Sequence, residues 1–349
     1  MASAENLVTL PRQPEGTPWP TEAWPTGPLP ETCDAAALDR LLDKAFADPA
    51  PDEMSETHAF LAIHAGRLVA ERYWRDYSAD QTYPSWSMAK SMTQALIGIL
   101  ARDDKIDVAA PADVPEWAGA EDPRRVITLD QLLRMSSGLQ FAEDYVDAGV
   151  SDVIEMLFGQ GKEDVAGFAA AFPLAHAPDT FWSYSSGTSN IVARCASRAI
   201  GAWGEAFEAF MRRELFDPIG MRTPIPKFDA AGVFIGSSFC FCSARDFARF
   251  GLLYLRDGIW DGRRILPQGW VDYARTPTKT PPEEPLGYGA HWWLGLCGPD
   301  SFSANGYQGQ FTVLIPSLDL ILVRHGNSLD ERGDAAKAWL ADVADCFRR

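Results

Sequence analysis

Cysteine and lysine are scarce in this chain, and long apolar runs are missing. Only six of its 349 residues are cysteine (Cys33, Cys195, Cys240, Cys242, Cys297 and Cys346), and none forms a C-x-x-C pair. That excludes a disulfide-held scaffold and a zinc or dithiol motif, and leaves buried free thiols as the default. No stretch approaches the ~18 uninterrupted apolar residues of a membrane span. Residues 1–10 hold neither Lys nor Arg and no apolar run of signal-peptide length. The expectation is a soluble, cytoplasmic protein with no membrane partner. Positive charge is also short: Lys plus Arg total 31 against 48 Asp plus Glu, a net charge of −17. This is the wrong sign for a surface that tracks phosphates, so no nucleic-acid partner is expected. The signatures G-x-S-x-G, H-E-x-x-H, G-x-x-x-x-G-K-[ST] and G-x-G-x-x-G do not occur, which removes the usual evidence for elbow-type hydrolases, zincins and nucleotide-binding folds. The five histidines (His58, His64, His176, His291, His325) show no ligand spacing and are read as structural, with no metal and no cofactor.

What is present suits a large core: 46% of residues are hydrophobic and 11% aromatic. At ~150 residues per domain, the length allows two domains or one with an insertion. Residues 11–32 carry seven prolines with Trp19 and Trp24, a density that forbids helix and predicts an extended arm over residues 1–32. Apolar residues recur at spacings of three and four over residues 33–46, predicting a helix. Two β-rich runs, 59–64 and 67–74, flank Ala65-Gly66 and predict a hairpin. A helix rich in Met and Leu is predicted over 87–102, with further helices over 128–135, 153–158, 190–200 and 204–215. Strands return at 288–294, 302–305, 310–315 and 318–324, and an amphipathic helix closes the chain over 335–347. This order predicts an α+β fold. Residues 33–86 and 225–349 would form one antiparallel sheet flanked by N- and C-terminal helices, and residues 87–224 an inserted all-helical domain.

Chemistry can be sought at three places. Ser87-Met88-Ala89-Lys90 is an S-x-x-K tetrad opening a helix, and residues three apart share a helical face. A serine hydroxyl needs a neighbour to take its proton, and an enclosed Lys can have its pKa lowered enough to do so. With 21 Ser and 7 Lys, about 0.4 such tetrads arise by chance, so a capping Ser beside a solvated Lys is the bland alternative. However, a helix that is apolar from its first turn is buried, and a Lys there needs an internal partner. Phe181-Trp182-Ser183-Tyr184-Ser185-Ser186 places a Tyr just before a helix; the alternative is plain packing at a domain edge. Asn305-Gly306-Tyr307-Gln308-Gly309-Gln310 opens a strand with glycines that permit close backbone approach, or simply makes a hairpin turn.

Taken together and in this order, the three groups resemble the motifs of the serine β-lactamase-like family. That family includes class C β-lactamases, penicillin-binding proteins, esterases, D-amino-acid peptidases and 6-aminohexanoate-dimer hydrolases. Its S-x-x-K matches Ser87 and Lys90, its Y-x-N or Y-x-S matches Tyr184 and Ser186, and its degenerate K-T-G matches Tyr307-Gln308-Gly309. Residues 132–139 (LLRMSSGL) and 243–251 (SARDFARFG) resemble two further family landmarks. The resemblance implies a β-lactamase-like fold and a serine hydrolase that cleaves a small ester or amide through an acyl-enzyme on Ser87. Lys90 and Tyr184 would share the proton transfers, and either could be the base. The oxyanion would rest between the N–H groups of Ser87 and Gln310. Tyr145, Trp182, Ser186, Tyr307, Gln308 and Gly309, with Trp292 or Trp293, would line a pocket for a small-molecule substrate. Two departures matter. Tyr307 stands where β-lactam-recognising members carry Lys, which removes a carboxylate anchor, and Ser186 stands where they usually carry Asn. Both weaken the alternative of a β-lactamase or D-amino-acid peptidase; a catalytically silent ligand-binding relative is the third possibility.

Overall fold

The hairpin forms as β1 (Glu56–His64) and β2 (Arg67–Tyr73). It turns at Ala65 and Gly66, both with positive φ (50° and 74°), the backbone that matches the twist of two paired strands. The computed structural model describes residues 7–144, 151–283, 285–329 and 331–348. In it, β1 pairs along its other edge with a strand from the far end of the chain, β7 (Leu320–Asn327). Between them in sequence lie β3 (Gly287–Tyr288), β4 (Trp293–Leu294), β5 (Phe302–Gly306) and β6 (Gln310–Ile315). The seven strands form one antiparallel sheet in the order β2-β1-β7-β6-β5-β4-β3. The first hairpin and the last strand therefore lie side by side in it.

Both faces of this sheet are covered, as the side-chain alternation of a strand permits. On β1, Ala59, Leu61 and Ile63 enter one core, while Phe60 and Ala62 enter a second core on the opposite face. The second core is closed by α1 (Ala35–Ala45) and α5 (Glu331–Cys346) through Leu38, Leu42, Trp339, Leu340 and Val343. The first core is closed by α2 (Met88–Arg102) and α4 (Ala244–Leu255), with α3 (Ser186–Ile200) behind α2. Every residue of α2 from Met88 to Leu100 is buried, as a helix apolar from its first turn requires. The Pro-rich arm runs extended over the α4 side. Trp24 Nε1 donates to the Arg245 carbonyl (3.2 Å), and Arg249 Nε donates to the Pro20 carbonyl (2.7 Å).

The closing helix starts at Glu331, four residues before its predicted start, and two other differences have a visible cause. The strand expected over 288–294 is broken into β3 and β4. Gly289 lies so close to the Ala274 carbonyl that a Cβ would sit 2.0 Å from it, and His291 adopts φ 56°, so the chain turns between the two short strands. The helix expected from residue 190 starts four residues earlier, at Ser186, because the Ser185 hydroxyl accepts the Thr188 N–H (3.1 Å) as its N-cap.

One buried cation fastens the tip of the β5–β6 hairpin. Arg324 on β7 is fully buried and donates to the Gly309 carbonyl (2.7 Å), the Ser328 hydroxyl (2.7 Å) and the Thr57 hydroxyl (3.0 Å). Burial pushes its pKa down to about 9, and charge-assisted bonds to fixed acceptors offset the loss of hydration. Among the described residues, no helix is long and apolar enough to cross a membrane.

Candidate active site

Ser87 ends a strained turn. The preceding Trp86 has φ 42°, a conformation that costs a bulky L-residue on the order of 1–3 kcal/mol and persists only where the surroundings impose it. They do so here. Ser85 Oγ donates to the Ser238 carbonyl (3.0 Å) and accepts the Cys240 N–H (2.9 Å), and Trp86 Nε1 donates to Gln308 Oε1 (3.1 Å). The turn delivers Ser87 to the start of α2. There its hydroxyl makes no capping bond, so the capping alternative does not hold.

Lys90, one turn into α2, is 1% exposed. The solvated alternative fails too. Its Nζ donates to Ser87 Oγ (3.1 Å), Ser186 Oγ (2.9 Å) and the Ser237 carbonyl (3.0 Å). Burial pushes the amine down to about 8, partly opposed by the nearby Glu143 carboxylate. The Tyr184 ring lies 4.8 Å from Nζ. Burial, and then Glu143, push the Tyr184 phenol far above its ordinary range, while hydrogen bonds with Ser87 and Trp293 act in the opposite sense. Tyr184 is therefore protonated at neutral pH and stacks on Trp293 (centroids 5.4 Å apart).

Ser87 and Tyr184, with Lys90 buried behind them, open onto a cavity of about 970 Å³ lined by Ser87, Glu143, Tyr184 and Trp293 on one side and by Asn305, Gly306, Tyr307, Gln308 and Gly309 on the other. Its volume suits a small organic ligand. It continues past Leu296 and Phe311 to Lys337, Ala338 and Ala341 of α5. A shallower concavity of about 460 Å³ between α1 and α5 holds none of the candidate residues.

The structure redistributes several expected roles. Tyr307, Gln308 and Gly309 do line the cavity. Ser186 lies beneath it, buried, holding Lys90. Trp182 does not line it; its ring packs against Tyr288 and Trp293 (5.4 and 6.0 Å) in the wall behind. Trp292 is fully buried against Tyr254 and Phe302, leaving Trp293 as the tryptophan of the pocket. Tyr145 falls outside the described residues.

Gln310 also lies off the cavity wall. It is 2% exposed; its side-chain NH2 donates to the Gly326 carbonyl (2.7 Å), and its side-chain oxygen accepts from His325 Nδ1 (3.0 Å). The backbone that runs against the Ser87 turn is four and three residues earlier, at Gly306 and Tyr307. A Cβ on Gly306 would meet the Ser85 carbonyl at 2.4 Å, and the Tyr307 ring touches Trp86 edge-on (5.6 Å). Gly306→Ala must push β5 off that turn, and overpacking of this kind costs about 1–3 kcal/mol. The expected outcome is a lowered thermal midpoint together with at least a roughly tenfold loss of hydrolysis. Unfolding scans and ester turnover check it, and an unchanged midpoint and rate would show that the contact is slack.

Sequence reasoning missed two groups. Glu143 stands in none of the three motif groups, yet its carboxylate accepts the Ser186 N–H (2.7 Å) and hydroxyl (2.5 Å). A signal existed: Ser in place of the longer Asn leaves space that another polar side chain must fill. The Ser237 carbonyl, a backbone group, carried no signal at all. Among the described residues, no three His, Cys, Asp or Glu side chains are grouped to hold a metal ion.

Comparison with known proteins shows the family and the fold. The family model described as Beta-lactamase matches residues 53–345. The 6-aminohexanoate-dimer hydrolase of Paenarthrobacter ureafaciens is 26% identical over 347 aligned residues, covering 87% of this chain and 85% of the relative. A Bacillus anthracis protein provisionally described as a 6-aminohexanoate-dimer hydrolase superposes with TM-score 0.74 at 21% identity, over 92% of this chain and 87% of that one. A D-stereospecific amidohydrolase from Streptomyces superposes with TM-score 0.66 at 19% identity, over 88% and 98%. With a serine, a buried lysine and a tyrosine converging on one cavity, and the family match spanning most of its length, the chain belongs to the beta-lactamase family of serine hydrolases.

Proposed function

We propose that the protein hydrolyses small esters or linear amides through an acyl-enzyme on Ser87, with Lys90 as the base and Tyr184 as the proton donor to the leaving group. The observation that carries this reading is the desolvated Lys90 amine at 3.1 Å from Ser87 Oγ, with a pKa of about 8 beside a phenol that stays protonated. A group titrating near the working pH can both take and return a proton, whereas a phenol of strongly raised pKa is a poor acceptor. Ser87 Oγ attacks the carbonyl carbon as its proton passes to Lys90 Nζ. The oxyanion is held by the N–H of Ser87 and, in place of Gln310, the N–H of Tyr307, the residue that follows the Gly306 contact. Collapse expels the alcohol or amine, which takes a proton relayed from Lys90 through Tyr184. Water then repeats the sequence on the acyl-enzyme and releases the acid.

The names of the aligned relatives favour linear amides of amino acids as substrates. Aromatic and apolar lining by Phe141, Leu286, Trp293, Leu296 and Phe311 supports a flexible hydrocarbon segment. The test is turnover of p-nitrophenyl acetate and butyrate, a linear 6-aminohexanoate amide and nitrocefin, alongside fluorophosphonate labelling mapped to Ser87 by mass spectrometry. Labelled Ser87 with ester and amide turnover well above nitrocefin turnover is expected. A folded protein whose Ser87 is not labelled would refute the reading.

A pH dependence follows. The base must be neutral, so kcat/KM rises about tenfold per pH unit below the Lys90 pKa and levels off above about 8. Tyr184 contributes no falling limb before pH 10, because its pKa is raised. Ester hydrolysis followed from pH 6 to 10 checks this, and a flat profile would remove Lys90 as the base.

A further inference from the structure

The hydrogen bonds around Lys90 have a direction that the catalytic trio alone does not explain. Glu143 accepts the Ser186 N–H on one carboxylate oxygen (2.7 Å) and the Ser186 hydroxyl on the other (2.5 Å). A carboxylate has no proton to give, so the one hydroxyl hydrogen of Ser186 is committed to Glu143. The Ser186 lone pairs therefore face Lys90 Nζ at 2.9 Å. The Ser237 carbonyl at 3.0 Å is likewise an acceptor only.

An ammonium has three donors, and Lys90 meets three acceptors: Ser186, Ser237 and Ser87. A neutral amine keeps two N–H donors and one lone pair. Ser186 and Ser237 can satisfy only the two donors, so the lone pair is left for the Ser87 O–H. If Ser186 were free to turn, its own hydroxyl could occupy that lone pair and block the nucleophile.

We propose that Glu143 is a positioning residue that orients the Ser186 hydroxyl, so that the lone pair of Lys90 is available to Ser87 alone, and that supplies the anionic charge facing the amine. The proposal rests on Ser87 and Lys90 being the nucleophile and base. In this chain the Asn usual in the β-lactam-recognising members is replaced by a two-residue device, a short Ser held by a carboxylate from a separate loop. The other ionisable groups around the amine do not duplicate the charge. His291 bonds the Lys90 carbonyl through Nδ1 (3.0 Å) and is held down to about 3 by burial and by Lys90, so it is neutral over the working range. Tyr184 beside Nζ and Tyr288 beside Tyr184 are pushed up by burial and remain neutral. Asp144 lines the same cavity without a bond to Ser186 among the described contacts.

Glu143→Gln and Glu143→Asp test this with an uncharged p-nitrophenyl ester, so that loss of charge does not act through substrate attraction. Gln offers one acceptor where Glu offers two, and its amide donor turns the Ser186 hydroxyl toward Lys90. The plateau of kcat/KM is expected to fall roughly tenfold. Because the carboxylate raises the amine pKa, its removal is expected to move the rising limb to lower pH by about one unit. Asp keeps the charge but not the reach, so its plateau falls severalfold while its limb stays in place. A purely structural role would lower the rate without separating the two variants in pH. A wild-type limb in Glu143→Gln, or a wild-type plateau in Glu143→Asp, would overturn the proposal. Failure of the wild-type protein to label at Ser87 would instead refute the catalytic reading beneath it.

Discussion

Replacing Ser87 by Ala is expected to reduce ester hydrolysis by on the order of 10⁴- to 10⁶-fold, because removal of the nucleophile in a serine hydrolase leaves only binding and oxyanion stabilisation. The fold should survive. The Ser87 hydroxyl caps nothing, and its loss takes one of three acceptors from Lys90, worth about 1 kcal/mol. Initial rates and a thermal scan of Ser87→Ala measure both quantities. Residual activity within tenfold of the wild type would place the nucleophile elsewhere and end the acyl-enzyme reading.

Lys90→Met comes next in size, with an expected loss of 10²- to 10⁴-fold, the usual contribution of a positioned base. Met fills a similar volume, and it removes a cation whose burial is costly. Against this gain, the Ser186 hydroxyl and Ser237 carbonyl lose a donor, so the net change in stability should stay within about 2 kcal/mol. A second signature separates loss of the base from general damage. The rising limb expected near pH 8 from the lowered pKa of the Lys90 amine should be absent from the residual activity. Near-normal hydrolysis, or an unchanged limb, would exclude Lys90 from the mechanism.

The parts of the fold legible beforehand are those written as local periodicity. The α1 stripe and the closing helix bury residues that recur at a helical period, and the β1–β2 hairpin is marked by two β-rich runs flanking Ala65-Gly66. The broken strand after Tyr288 was not legible, because its cause is a carbonyl in the preceding helix, that of Ala274, pressed against Gly289. Which glycine of the 305–310 turn runs against the Ser85–Ser87 turn was not legible for a similar reason. Gly306 and Gly309 look equivalent in a turn-rich hexapeptide, and only the approach of the Ser85 carbonyl to Gly306 distinguishes them. Trp182 carried the right composition for a pocket residue, but its ring went into the wall behind Trp293.

By itself the amino-acid order determined that Ser87 and Lys90 share one face of a helix and that this helix is buried, because an i, i+3 spacing and an apolar first turn are local properties. It could not determine what the buried amine would meet. The partners of Lys90 come from residues 96 and 147 positions away, and Glu143 enters from a third loop. Hydrogen-bond direction is set by which donors and acceptors the packed chain brings within hydrogen-bond reach, so the partners, orientation and lowered pKa of the Lys90 amine were decided by tertiary structure alone.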